Sequence, residues 1–176
     1  MSTYDFKLTF ALPGADTNAE QYLDALFEAG CDDALIGIGS VGTIGLDFER
    51  EAGSASEAID SAISDVHKAI PGATLLEVGP DLVGVTDIAD LVESTRQNIQ
   101  KFVTSGLFPK PAHFSRTPIW HFYTVATWLA SRQLRAIKLE PSVIEASKIA
   151  YRVNIEVQKR QLEQTDETSI ELGLTA

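Results

Sequence analysis

Five polar residues follow one another, Ser94, Thr95, Arg96, Gln97 and Asn98, and Lys101 comes a helical turn later. Their side chains suit the recognition of nucleic acid. An arginine can bind guanine through two hydrogen bonds, and an asparagine or glutamine can do the same with adenine. A serine and the free backbone N–H groups at a helix start suit a phosphate oxygen. Further along, Lys110, His113 and Arg116 add cationic groups that could flank a groove. These nine residues are the candidate contacts to double-stranded DNA. The competing reading is an ordinary solvated helix face and loop.

The charge distribution favours the first reading. The chain carries a net charge of −11, which argues against nucleic acid at first sight. Residues 1–93, however, hold 18 Asp and Glu against 3 Lys and Arg, whereas residues 94–139 hold 7 Lys and Arg and no acid. A run free of carboxylates inside an acidic chain is a local electrostatic footprint for a polyanion. The acidic first half suits a basic protein partner instead.

Other chemistries find little support. Cys31 is the only cysteine, so neither an intrachain disulfide nor a cysteine metal cage can form. His67 belongs to a polar helix face, while His113 and His121 have no acid near them in sequence, so no metal site is expected. No nucleophile elbow, phosphate loop or paired-ligand spacing occurs, and neither catalytic residues nor a cofactor are expected. No apolar stretch reaches the roughly 20 residues of a membrane span. The first residues lack a basic, then apolar, export signal, and the expectation is a reduced, cytoplasmic protein without membrane contact.

The elements that must position these residues follow from periodicity. Tyr4, Phe6, Leu8, Phe10 and Leu12 alternate with polar residues, as in a half-buried strand. Thr17 and Glu20 have capping-box spacing and open a helix carrying Tyr22, Leu23, Leu26 and Phe27, which Gly30 closes. Residues 34–50 read as two strands with a turn at 40–42. Ser54 and Glu57 make a second capping box before a helix ended by Pro71-Gly72, and 73–78 is a last strand. The order β-α-β-β-α-β over residues 1–80 predicts a ferredoxin-like unit with both helices on one sheet face.

A second unit is expected over 83–135. Thr86 caps a helix over 87–92, and Glu93-Ser94 makes a tight turn. Ser94 and Gln97 form a third capping box that starts a helix running to Thr104. Residues 112–114 and 119–122 read as a β-hairpin, followed by a helix over 123–134. Trp120, Phe122 and Trp128 fall at inward positions and belong to its core rather than to a stacking platform.

These residues carry a specific resemblance. Val85-Thr-Asp-Ile-Ala-Asp-Leu-Val92, Ser94-Thr-Arg-Gln-Asn-Ile-Gln-Lys101, Gly106-Leu-Phe-Pro-Lys-Pro111, Ile119-Trp120 and Val125-Ala-Thr-Trp-Leu129 succeed one another. In that order they resemble the small winged helix-turn-helix domains of the MerR and AlpA (excisionase-like) superfamily. The resemblance implies that the Gly-x-Phe-Pro-x-Pro segment enters a wing, and that the aromatic beside the hairpin anchors it. Val92-Glu93 stands where that family often has a glycine. The long N-terminal α/β unit lies outside the usual MerR layout, so metal sensing is not implied.

Pro141 suits the first turn of a helix over 139–165. Val143, Ala146, Ala150, Val153 and Val157 follow one apolar stripe, and Ile144, Tyr151, Ile155 and Leu162 a second. One stripe suffices for packing on the chain's own body, so the first is assigned to a homodimer seam. Residues 166–176 are expected as a polar, frayed tail. The fold class expected is therefore α+β. The function expected is a dimeric, sequence-specific transcriptional regulator. An autoregulating antitoxin, an excision or recombination accessory factor, and a protein-interaction adaptor without DNA binding are the alternatives.

Overall fold

Alternation of large apolar and polar side chains draws Ser2–Ala11 into a strand, β1, with Tyr4, Phe6, Leu8 and Phe10 buried and Asp5 and Lys7 in solvent. The structure, a computed structural model, describes residues 1–14, 18–38, 40–132 and 137–171. It is mixed α+β, with a four-stranded antiparallel sheet and six α-helices among the described residues.

Asn18 accepts the N–H of Glu20 (3.1 Å) and opens a short 3-10 turn, Ala19–Tyr22, that leads into α1, Leu23–Glu28. Thr17, the expected cap, lies outside the described residues. Strands β2 (Ala34–Ile38) and β3 (Thr43–Ala52) follow, then α2 (Ala55–Ala69) and β4 (Thr74–Gly79). Ser54 Oγ accepts the N–H of Glu57 at 3.2 Å, as its spacing requires. The reciprocal bond differs from a strict capping box, because Glu57 accepts from Gly53 (2.9 Å) rather than from Ser54. The sheet order is β2-β3-β1-β4, with every neighbouring pair antiparallel.

One buried cation fastens the helices to this sheet. Arg50, on β3, donates to Asp33 (2.7 and 2.9 Å), Asp65 (2.9 Å), Ser61 (3.0 Å) and the Gly30 carbonyl (2.7 Å). Each charge removed from water here meets a partner, which burial of an ion requires. Beside this network, burial pushes the Cys31 thiol up to about 11. Cys31 should therefore react with a disulfide-exchange reagent at about pH 8 only when the protein unfolds. Labelling rates with and without denaturant check this, and rapid labelling of the folded protein would contradict it.

A second, smaller core follows. It is built on β5 (Leu82–Val83), α3 (Val85–Leu91), α4 (Arg96–Thr104), β6 (Trp120–His121) and α5 (Phe122–Arg132). Helix α3 begins two residues before the sequence places it. Asp87 accepts the Gly84 N–H at 2.7 Å, so Gly84 rather than Thr86 is its cap. The expected hairpin is also different. His113 and Ile119 form an isolated bridge, and the residues after it pair with β5 instead. The short β5 strand carries too little periodicity to be visible in the sequence.

The last helix, α6 (Pro141–Glu171), joins both cores. Val143 and Ile144 pack on the small core, and Ala146 and Ala150 are fully buried against the sheet and α2. This corrects the homodimer seam. Val143, Ala146, Ala150, Val153 and Val157 face the chain's own body, because alanine lets the helix approach the sheet closely. Of the other stripe, Ile144 and Tyr151 also pack inward, and Ile155 and Leu162 are exposed. The helix also continues through much of the expected frayed tail, and 172–176 lie outside the described residues.

Asn154 fixes α6 against the sheet. Its amide bonds both backbone groups of Val78, on the edge strand β4, at 2.8 Å each, and donates to buried Asp81 at 2.7 Å. Replacing it by alanine would leave three buried polar groups unmet. Asn154→Ala should therefore cost about 3–5 kcal/mol of unfolding free energy. Urea titration measures it, and a loss below about 1 kcal/mol would mean that water replaces the amide.

Candidate nucleic-acid interface

The interface is built on α3, the turn after it and α4. Ile88, Ala89, Val92 and Ile99 are buried between the two helices and α5, which turns the opposite side of α4 outward. Thr95, not Ser94, caps α4, accepting the Asn98 N–H at 3.2 Å. Ser94 Oγ instead accepts from the Asn98 amide at 3.0 Å. Ser94, Thr95 and Asn98 thus serve first to shape the turn. Arg96, Gln97 and Lys101 are exposed, and with Gln100 and Thr104 they line one shallow depression of about 410 Å³. Gln100 and Thr104 were not among the expected contacts. Their spacing of four and eight from Arg96 would have marked them as the same helical face.

The turn uses a backbone form that favours glycine. Glu93 has φ of 47°, in the left-handed region, and the Ser94 N–H closes onto the Ala89 carbonyl at 2.8 Å. Lys138 donates to the Glu93 carboxylate at 2.6 Å, and that hydrogen bond raises the lysine pKa. Both side chains are largely exposed, so the pair offsets little of the backbone cost.

The aromatic core holds the segment after α4. Gly106, with φ of 78°, turns the chain, and Phe108 enters the core with its ring edge-on to Trp120 and Trp128. Trp120 Nε1 donates to the Pro109 carbonyl at 2.9 Å. Residues 110–118 then project as a loop closed by the His113–Ile119 bridge, with Lys110, His113, Phe114 and Arg116 exposed.

The seven cations of 94–139 are not equivalent. Lys138 is engaged with Glu93, Arg132 lies 4.9 Å over the Trp128 ring, and Arg135 lies outside the described residues. Arg96, Lys101, Lys110 and Arg116 have no carboxylate within ion-pair distance among the described residues.

His121 departs from its sequence reading. Its Nδ1 lies 2.7 Å from the buried carboxylate of Asp81, forty residues away, and its ring stacks on Tyr151 with centroids 3.6 Å apart. An acid so distant in sequence leaves no local signal. The contact with Asp81 ties β6 to the connection between β4 and β5, the stack on Tyr151 ties it to α6, and neither is part of the outward face of α4.

No family model, curated protein or solved structure matches this chain. The reading of the interface therefore rests on its own geometry.

The strain at Glu93 is testable. Glu93→Gly should be neutral or stabilising by up to about 1 kcal/mol, while Glu93→Val should cost about 1–2 kcal/mol, since a β-branched residue resists positive φ. Thermal unfolding of both variants checks the ordering; equal midpoints would remove the strain.

Proposed function

We propose that this chain is a DNA-binding transcriptional regulator that reads a duplex with α4 and grips phosphates with loop 110–118. The observation that carries this reading is the outward face of α4. Arg96, Gln97, Gln100 and Lys101 share it, in a stretch that holds seven cations and no acid. In the proposed complex α4 lies in the major groove, Arg96 and Gln97 meet base edges, and Lys101, Lys110, His113 and Arg116 flank the backbone.

The arrangement of α3, a tight turn, α4, a bridged loop, β6 and α5 supports a winged helix-turn-helix, with a wing paired at the single His113–Ile119 bridge rather than as the hairpin expected over 112–114 and 119–122. The order β2-β3-β1-β4 supports a ferredoxin-like reading of the first unit. No helix of the described residues is long and apolar enough to cross a membrane, and we place the protein's action in the cytoplasm. The regulator acts as a dimer through the exposed Ile155 and Leu162 face of α6, which would demand inverted half-sites.

Selection of bound duplexes from a random pool tests binding, sequence preference and half-site spacing together. Failure to enrich any duplex would overturn the reading. With a selected site in hand, Arg96→Ala should weaken binding by about 1–3 kcal/mol and relax preference at one position. Lys110→Ala and Arg116→Ala should weaken all sequences alike, each lowering the salt slope by about one phosphate contact. Unchanged salt slopes in both would remove the loop from the interface.

A further inference from the structure

The two edges of the main sheet are treated differently. Asn154 occupies the outer edge of β4 by bonding both backbone groups of Val78. The other edge, β2, has no such cover among the described residues. The Glu49 N–H bonds the Asp33 carbonyl at 3.1 Å. The alternation of an antiparallel ladder then turns the N–H and C=O of Ile36 to the open side. Sheet edges are commonly guarded by charges, prolines or bulges. Strand β2 reads Ala-Leu-Ile-Gly-Ile and has neither charge nor proline. Leu35 on this edge is 76% exposed and Val41 just beyond it 83%.

The faces on either side differ in chemistry. On the helix side, Ala34 and Ile36 pack against the core. On the open side, Leu35 is paired in register with Asp47 on β3, and Asp5 stands directly opposite Glu49. Like charges so placed repel. Lys7, 3.6 Å from Asp47, is the cation set among these acids in the register of β1 with β3. This acidic surface disfavours a second copy of the same acidic face and favours a cationic partner.

We propose that the β2 edge accepts an extended segment of a partner protein in which apolar and basic residues alternate. Backbone bonds to Ile36 add the segment as a fifth strand. Alternate side chains then fall on opposite faces. Its apolar row continues the layer of Ala34 and Ile36, and its basic row comes up on the side of Asp47 and Glu49. The inference does not depend on DNA binding.

The probe is a dye-labelled peptide about nine residues long, the span of a long strand, alternating valine and lysine. Anisotropy with the full chain should show binding, and hydrogen exchange at the Ile36 amide should slow on its addition. A valine–glutamate peptide, and one of the same composition with its lysines in a block, should bind at least about tenfold more weakly. Leu35→Lys, at an exposed site, should weaken the alternating peptide by about tenfold or more with circular dichroism unchanged. Equal binding of the block peptide, or unaltered exchange at Ile36, would overturn the proposal. So would a wild-type dimer that Leu35→Lys dissociates, since a second copy would then hold the edge. Duplex binding should be the same for Leu35→Lys and wild type, which separates this inference from the DNA reading.

Discussion

The side-chain amide of Asn154 is the contact on which the arrangement of the chain depends. A strand edge exposes N–H and C=O groups that must be satisfied once a helix buries them. At Val78 one asparagine supplies both a donor and an acceptor, taking the place of a neighbouring strand. Its second donor reaches Asp81, which in turn receives His121 from the small core. Edge, connection and small core are thereby joined through one polar chain inside otherwise apolar packing. Because α6 contributes to both hydrophobic cores, neither can loosen without disturbing the other.

Much of this was legible along the chain wherever the signal was local. Alternation located β1, capping spacing located α2, and inward aromatic positions identified Trp120 and Phe122 as core. Signals failed where a contact spans a long sequence interval. Asp81 and His121, Asn154 and Val78, and Arg50 with Asp33 and Asp65 all join residues that periodicity treats separately. The α6 stripes show the same limit. Two apolar faces are visible in the sequence, but not that both meet the body near the start of the helix, Ile144 on the small core and Tyr151 on His121, while Ala146 and Ala150 close on the sheet. In the candidate interface, Arg96, Gln97 and Lys101 stood out by residue type, whereas the engagement of Ser94 and Asn98 with each other required the turn geometry.

Electrostatics divides the surface more sharply than the net charge suggests. The cations of α4 and loop 110–118 lie in a stretch without carboxylates, while the open sheet face gathers Asp5, Asp47 and Glu49. Fields from exposed charges decay over roughly 8 Å at physiological salt. Each surface can therefore present its own sign to an approaching molecule despite the total of −11. An acidic body also repels a polyanion from the sheet, which leaves the α4 side as the favoured approach.

The placement of the indoles has a spectroscopic consequence. The chain has two tryptophans, and both Trp120 and Trp128 sit in the small core, one buried and bonded to Pro109, the other beneath the Arg132 guanidinium. Light selectively absorbed by indole is therefore emitted from that core alone, and the sheet is silent at those wavelengths. Intrinsic emission becomes a site-specific gauge of the α4 neighbourhood, with no dye attached. A molecule seated on the β2 edge would register in it only through motion relayed along α6.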